Sequence, residues 1–202
     1  MIGPENLGVE DSIDLERARR ESKARAAAFL AQVSTAVNER DDRIVAELAN
    51  ENSSLKSKLG KVYGMVAEAT DGIQPFVACA RGCSACCKMN VDISSLEAER
   101  LSAVSGSQMV QLAAPVRHSE DRFSGVPCPF LISDTCSVYE VRPYACRAHF
   151  SFDNSAHWCQ PERAYVADMS LVNFGGAKEA YQTIATRTNL GGFADIRDFF
   201  PG

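Results

Sequence analysis

The run Cys79-Ala-Arg-Gly-Cys83-Ser-Ala-Cys86-Cys87 decides how the rest of the chain is read. The two-residue gap between Cys83 and Cys86 lets both sulfurs reach one metal from a tight turn, and Gly82 helps that turn. Cys86 and Cys87 are adjacent. Neighbouring side chains diverge, so the simpler geometry sends these two thiols to different ions or to different edges of one cluster. Working outward, the remaining cysteines are Cys128, Cys136, Cys146 and Cys159, so that all eight lie between Cys79 and Cys159 among glycines, prolines and short polar runs. Eight thiolates equal two four-thiolate sites or the ligands of a larger cluster. An ordered core in this stretch is therefore expected to be built by its ligands. Cations accompany the thiols: Arg81 and Lys88 flank the first cluster, and Arg142 and Arg147 flank Cys146, where they can offset the negative charge of a thiolate centre.

The whole chain has 202 residues, 46% hydrophobic and 23% charged, enough apolar material for one globular domain with an extension. Its 21 Lys and Arg against 26 Asp and Glu give a net charge of −5, so there is no global basic field to attract nucleic acid or an anionic membrane. The start, Met1 to Ser12, lacks a basic and apolar leader pattern, and no run of apolar residues is long enough to span a bilayer. These features predict a cytoplasmic protein, and in that reducing setting clustered cysteines point to metal rather than to disulfides.

The first seventy residues hold ten Lys and Arg, twelve Asp and Glu and no cysteine. Ile44, Leu48, Leu55, Leu59, Val62 and Val66 fall on one helical stripe, and Phe29, Leu30, Val33 and Val37 on an earlier one, predicting one or two long helices. Asn50, Asn52, Ser53 and Ser54 interrupt the heptad, which favours an arm packed on the cysteine domain or on a partner chain over a coiled coil. The division expected is a helical extension over 1–72 and a cysteine-cluster domain with C-terminal helices over 73–202. The extension could serve protein partners or self-association.

Ser94 and Glu97 have capping-box spacing and predict a helix from Ser95 to Val104 that ends before Gly106. Pro161 can open a segment carrying Ala164, Val166, Met169, Leu171 and Val172, and a second carries Ala180, Tyr181 and Ile184 after Gly175-Gly176. Strand patterns are scarce, the best being Asn90 to Ile93 and Phe130 to Ile132. The fold class expected is mainly α: a small helical domain organised by a cysteine-bound metal centre, with a long N-terminal helical extension.

Three linked motifs carry a family resemblance. They are Cys79 to Cys87, then Cys128-Pro129-Phe130-Leu131, then Cys136-Ser-Val-Tyr139-Glu-Val-Arg142-Pro143-Tyr-Ala-Cys146-Arg147. In that order they resemble the YkgJ-type cysteine-cluster family of zinc- or iron-chelating proteins, marked by a CxxCxxCC-like run. The first interval departs from that pattern, with three residues between Cys79 and Cys83 rather than two. The resemblance implies metal binding, by zinc in a structural site or by an iron-sulfur cluster suited to electron transfer. Some relatives act on proteins, among them flagellin lysine methylases, but Gly60, Gly64, Gly175 and Gly176 form no S-adenosylmethionine-binding pattern here.

Other candidates are weaker. His149 stands three residues after Cys146 and could complete a site; His157, two before Cys159, is a poorer candidate, and His118 is expected to be merely exposed. Trp158, Phe150 and Phe152 suit an apolar shell around metal, and Tyr139 and Arg142 suit groups that hydrogen bond to sulfur or backbone. No nucleophile-base trio stands out. The leading expectation is a metal-binding protein. A redox or metal-dependent protein-modifying enzyme is the alternative, as is an interaction protein in which metal only staples the fold.

Overall fold

The computed structural model describes residues 9–167, 169–188 and 192–201. Met1 to Gly8 and the side chain of Val166 lie outside what is described. The chain is mainly helical, as expected, with helices α1 (Val9–Leu30), α2 (Thr35–Asn50), α3 (Leu55–Ala69), α4 (Ser95–Ser105), α5 (Tyr144–Ala148), α6 (Pro161–Ala167), α7 (Gly175–Thr186) and α8 (Ile196–Phe199). Four short strands complete it: β1 (Asp92–Ser94), β2 (Leu131–Ile132), β3 (Thr135–Cys136) and β4 (Phe193–Asp195). β1 pairs antiparallel with β4, and β2 with β3.

The N-terminal region forms three helices rather than one or two. Ser34 and Ser54 are the reason: each takes an extended conformation, and its side chain accepts a bond from the backbone N–H three residues on, Val37 and Ser57, which starts a new helix. The stripe through Phe29, Leu30, Val33 and Val37 is broken accordingly. Phe29 is buried against Phe76 and Phe152, whereas Leu30 at the end of α1 is 57% exposed. The second stripe survives its interruption, because Ile44 and Leu48 of α2 and Leu59, Val62 and Val66 of α3 all enter one core with Ala177, Ala180, Tyr181 and Ile184 of α7. Full burial of each large aliphatic side chain contributes about 1.5–3 kcal/mol.

The junction of α2 with α7 is close. Asp41 accepts the N–H groups of Gly176 (2.9 Å) and Ala177 (2.7 Å), capping α7 from another helix. A Cβ on Gly176 would lie 1.7 Å from the Asp41 carbonyl oxygen, so only glycine permits this approach.

The capping box at Ser94 and Glu97 is present, and α4 ends on Gly106 in the left-handed conformation. Glu97 does more than cap. Only 1% exposed, it accepts bonds from the Tyr63 hydroxyl of α3 (2.7 Å), the Tyr144 N–H that opens α5 (2.6 Å) and the Tyr181 hydroxyl of α7. Burial and the adjacent carboxylate push both tyrosine hydroxyls well above their ordinary pKa of 10.0. Glu97→Ala would strand three buried donors. It is expected to lower stability by about 3–5 kcal/mol, seen as a drop in the denaturation midpoint at unchanged slope; a loss under about 1 kcal/mol would show the network to be dispensable.

The C-terminal reading needs one correction. α6 stops at Ala167, and Met169, Leu171 and Val172 are not helical. The segment runs extended beside Phe150–Phe152, with Phe152 N–H donating to Ser170 O (3.1 Å), Val172 N–H to Phe150 O (3.2 Å), and a bridge between Ser151 and Leu171. Backbone pairing to a distant segment outweighs the local apolar spacing here. The strands fall near their expected sites, Asn90 to Ile93 shrinking to β1 and Phe130 to Ile132 to β2; their partners β3 and β4 carry no pattern of their own. β4 leads into α8 through a second capping box, Asp195 with Asp198. No helix among the described residues is long and apolar enough to cross a membrane.

Candidate metal centre

Each cysteine motif is locally built to present sulfur. Cys79 follows a 3-10 turn (Gln74–Phe76), and the neighbouring Ala78 N–H donates to Asp153 O at 3.0 Å. The chain then turns through Gly82, whose φ of +94° is in the region glycine tolerates, and Cys83 N–H closes the turn on Ala80 O (3.0 Å). A second 3-10 turn, Ala85–Lys88, carries Cys86 and Cys87.

Cys128 N–H donates to Cys87 O at 2.7 Å, which ties the second motif onto the first. The β2–β3 hairpin sets Leu131 opposite Cys136, turning on Ser133 and Asp134, both at positive φ as a tight hairpin turn of this hand requires. Pro143 precedes α5, which carries Cys146 inward.

The motifs converge. One cavity of about 120 Å³ is walled by Cys86, Cys87, Cys128, Cys136 and Cys146 together with Arg142 and His149. An adjoining cavity of about 320 Å³ adds Cys79 and Cys83. Cys159 faces a third, of about 160 Å³, with Ser151, Trp158 and again His149. His149 thus lines all three, and burial lowers its pKa so that the ring is held neutral.

The electrostatic couplings sort the sulfurs into two groups. Cys87, Cys128, Cys136 and Cys146 act on one another, as do Cys79, Cys83 and Cys159, and Cys86 lies between, feeling Cys87, Cys146 and Cys83. All eight are free thiols. As the side chains stand, no three His, Cys, Asp or Glu among the described residues grip a common point, so holding an ion requires thiol rotations.

Burial drives most of these thiols toward the neutral form. It raises Cys128 and Cys159 from the ordinary 9.0 to about 11, and raises Cys79, Cys136 and Cys146 as well. Cys87 is the exception, lowered to about 7. The thiol of Cys86 donates a hydrogen bond to it, and Arg197, Arg142 and Lys88 add positive charge against the opposing effect of burial. Cys86 is raised well above 9.0 by that same bond. Adjacency predicts that these two thiols diverge; instead they meet, because the 3-10 turn that carries them brings their side chains to one wall.

The surroundings fit an anionic thiolate centre. Backbone N–H groups at Phe130, Val138 and Ser151 donate to the sulfurs of Cys128, Cys136 and Cys79, favouring the ionised form each would take on binding. Arg142 stacks on Tyr139, its guanidinium carbon 3.8 Å from the ring centroid, and its buried Nε has no hydrogen-bond partner while the side chain lines the thiol cavities. A guanidinium with no ion-pair partner among the described residues suits an anionic guest in that wall. Soft thiolate donors suit zinc and iron.

The cations that flank the motifs divide. Lys88 and Arg142 act on Cys87 and Arg147 on Cys146, whereas Arg81 pairs with Glu140 at the surface; Arg147 also donates to the Arg142 and Glu140 carbonyls and lies over the Tyr63 ring. Arg197 escapes a sequence reading. It is 8% exposed, held by Asp195 (2.9 Å), and donates to the carbonyls of Cys87 (3.3 Å) and Val126 (2.5 Å). No local signal could reveal it, since only the β1–β4 pairing carries it to the first motif. Ser151 and Asp153 escape it too, although they sit inside the last cysteine interval. Trp158 does line a wall beside Cys159, and Phe152 is buried on Phe29. His157 packs edge-on against Trp158. His118 is not simply exposed: its ring is paired with Asp198 at 2.9 Å and packs edge-on against Phe123.

Fold and site together define a small helical protein whose interior thiols gather around cavities. Residues 78–161, the stretch holding all eight cysteines, match the CxxCxxCC family, described as a putative zinc- or iron-chelating domain. The match leaves α1–α3, all of α6 beyond Pro161, and the closing α7–β4–α8 outside it. No curated protein and no solved structure matches the chain significantly.

Proposed function

We propose that the protein binds zinc or iron through thiolates drawn from its three cysteine motifs. One observation carries the reading: five cysteines from all three motifs wall a single cavity beside Arg142. Cys87, Cys128, Cys136 and Cys146 are the residues that would hold the metal, and Cys86 supports Cys87 through its thiol hydrogen bond. Cys87, lowered to about 7, is the sulfur readiest to serve as a thiolate, and the more basic thiols would have to give up their protons to join it. Arg142 and Arg197 would offset the thiolate charge, and the apolar walls of Val91, Val138 and Ile196 would limit water. Bound zinc would brace the fold, whereas an iron-sulfur cluster would add one-electron redox chemistry. A cytoplasmic setting suits eight free thiols.

The test is metal and inorganic sulfide content in protein purified without oxygen. Brown protein with sulfide supports the cluster, and colourless protein with stoichiometric zinc supports the structural site. Protein free of both metals, with eight titratable thiols and unchanged stability after chelation, would refute the function.

A further inference from the structure

We propose that the His149 imidazole is a metal ligand, joining the thiolates of Cys79, Cys83 and Cys86 at a second site in the cavity of about 320 Å³. The proposal rests on the metal-binding reading above and gives thiols that reading leaves aside a nitrogen partner. Three thiolates and one imidazole are among the standard four-coordinate sets for zinc.

The cavities place His149 among these sulfurs. It ends α5, three residues after Cys146, where the backbone turns extended. It lines the cavity of Cys79, Cys83 and Cys86, the cavity of the larger thiol group and the cavity of Cys159, and no other described residue lines all three. Cys159 is the rival donor, and the cavities separate the two. Seven thiols line the first two cavities; Cys159 lines neither, while His149 lines both.

The ring is also free to take an ion. It makes no hydrogen bond or ion pair among the described residues, whereas His118 is held by Asp198 at 2.9 Å. An imidazole offers a lone pair near neutral pH with no proton to lose, and a partly buried one without a partner gains from a cation. Turns present the sulfurs: Cys83 N–H bonds to Ala80 O (3.0 Å), and Cys86 rides on the 3-10 turn Ala85–Lys88. In the metal-free chain the Cys86 thiol donates to Cys87; on uptake its proton passes to solvent and the sulfur turns to the ion. Rotation of the side chains closes the set, since they do not grip a common point as they stand. With one neutral donor the site carries less negative charge than four thiolates would, which eases its place beside the larger group.

The test loads the full metal-free chain, its histidine nitrogens isotopically labelled, with an NMR-active cadmium isotope as a stand-in for zinc under anaerobic conditions. Two cadmium resonances are expected, one of them split by coupling to a bonded histidine nitrogen. The splitting should vanish in His149→Ala, and affinity at that site should fall by more than the roughly 10–100-fold that loss of an outer partner brings. His149→Cys should keep the site occupied, with its resonance unsplit and moved toward that of the four-thiolate site, which decides the matter if the alanine variant fails to fold. Cys83→Ser should remove the split resonance alone, and Cys159→Ser should leave it in place. Cadmium bound without any splitting, a splitting that survives His149→Ala, or loss of the split resonance in Cys159→Ser would overturn the proposal while leaving the proposed function intact. A chain that takes up no cadmium would refute both.

Discussion

Cys146→Ser is expected to empty the larger thiol group and to erase the stability difference between metal-loaded and metal-free protein. Cys146 sits on α5 and lines the same cavity as Cys87, Cys128 and Cys136. Serine is similar in size, so the neutral, metal-free fold should tolerate it; the difference appears only when a thiolate is needed. Structural zinc contributes roughly 10–16 kcal/mol to folding in small metal-dependent domains, and removing one of four ligands forfeits most of such a term. In thermal melts with and without chelator, the wild type should show a large fall in Tm on chelation and the variant almost none. A variant whose Tm still falls as far as the wild type's would rule Cys146 out as a ligand. The comparison is internal to each protein, so a modest packing loss from the substitution does not blur it.

The second large effect is a reversal in the pH dependence of stability on metal loading. In the metal-free chain, burial raises Cys128 and Cys159 from 9.0 to about 11. Groups with raised folded pKa values stabilise the fold fully below their unfolded pKa and lose that contribution as pH climbs through the folded value. The metal-free protein should therefore weaken between about pH 9 and pH 11, by roughly 2 kcal/mol from Cys128 alone. The loaded protein holds the same sulfurs as thiolates, so protons compete with metal and its stability should fall as pH drops below the ordinary thiol value of 9.0. Tm measured from pH 6 to pH 11 should rise with pH up to about 9 in the loaded protein and fall above about 9 in the chelated one. Parallel curves would mean that these thiols do not change protonation on loading.

Several features are legible in the amino-acid order itself. Ser94 and Glu97 announce the start of α4 and Gly106 its end, because caps act within one turn, whereas α7 takes its cap from Asp41, 135 residues away. The stripes of Ile44 to Val66 announce buried faces, yet the serine caps that divide them look in sequence like mere interruptions. The segment from Met169 to Val172 misleads because its apolar spacing fits a helix while its backbone bonds go to residues 150–152. Glu97 looks like a plain cap, and its tyrosine partners on α3 and α7 lie 34 and 84 residues away.

Short-range chemistry written along the chain thus settles which residues carry sulfur, where α4 begins and ends, and that the fold is mainly helical. Which sulfurs share a cavity, and that Arg197 comes to stand over Cys87, are decided by packing alone. The reason is physical. A cap or a turn is stabilised by groups a few bonds apart, whereas the field at a buried thiol is set by every charge and dipole that folding brings within a few ångströms, whatever its distance in sequence.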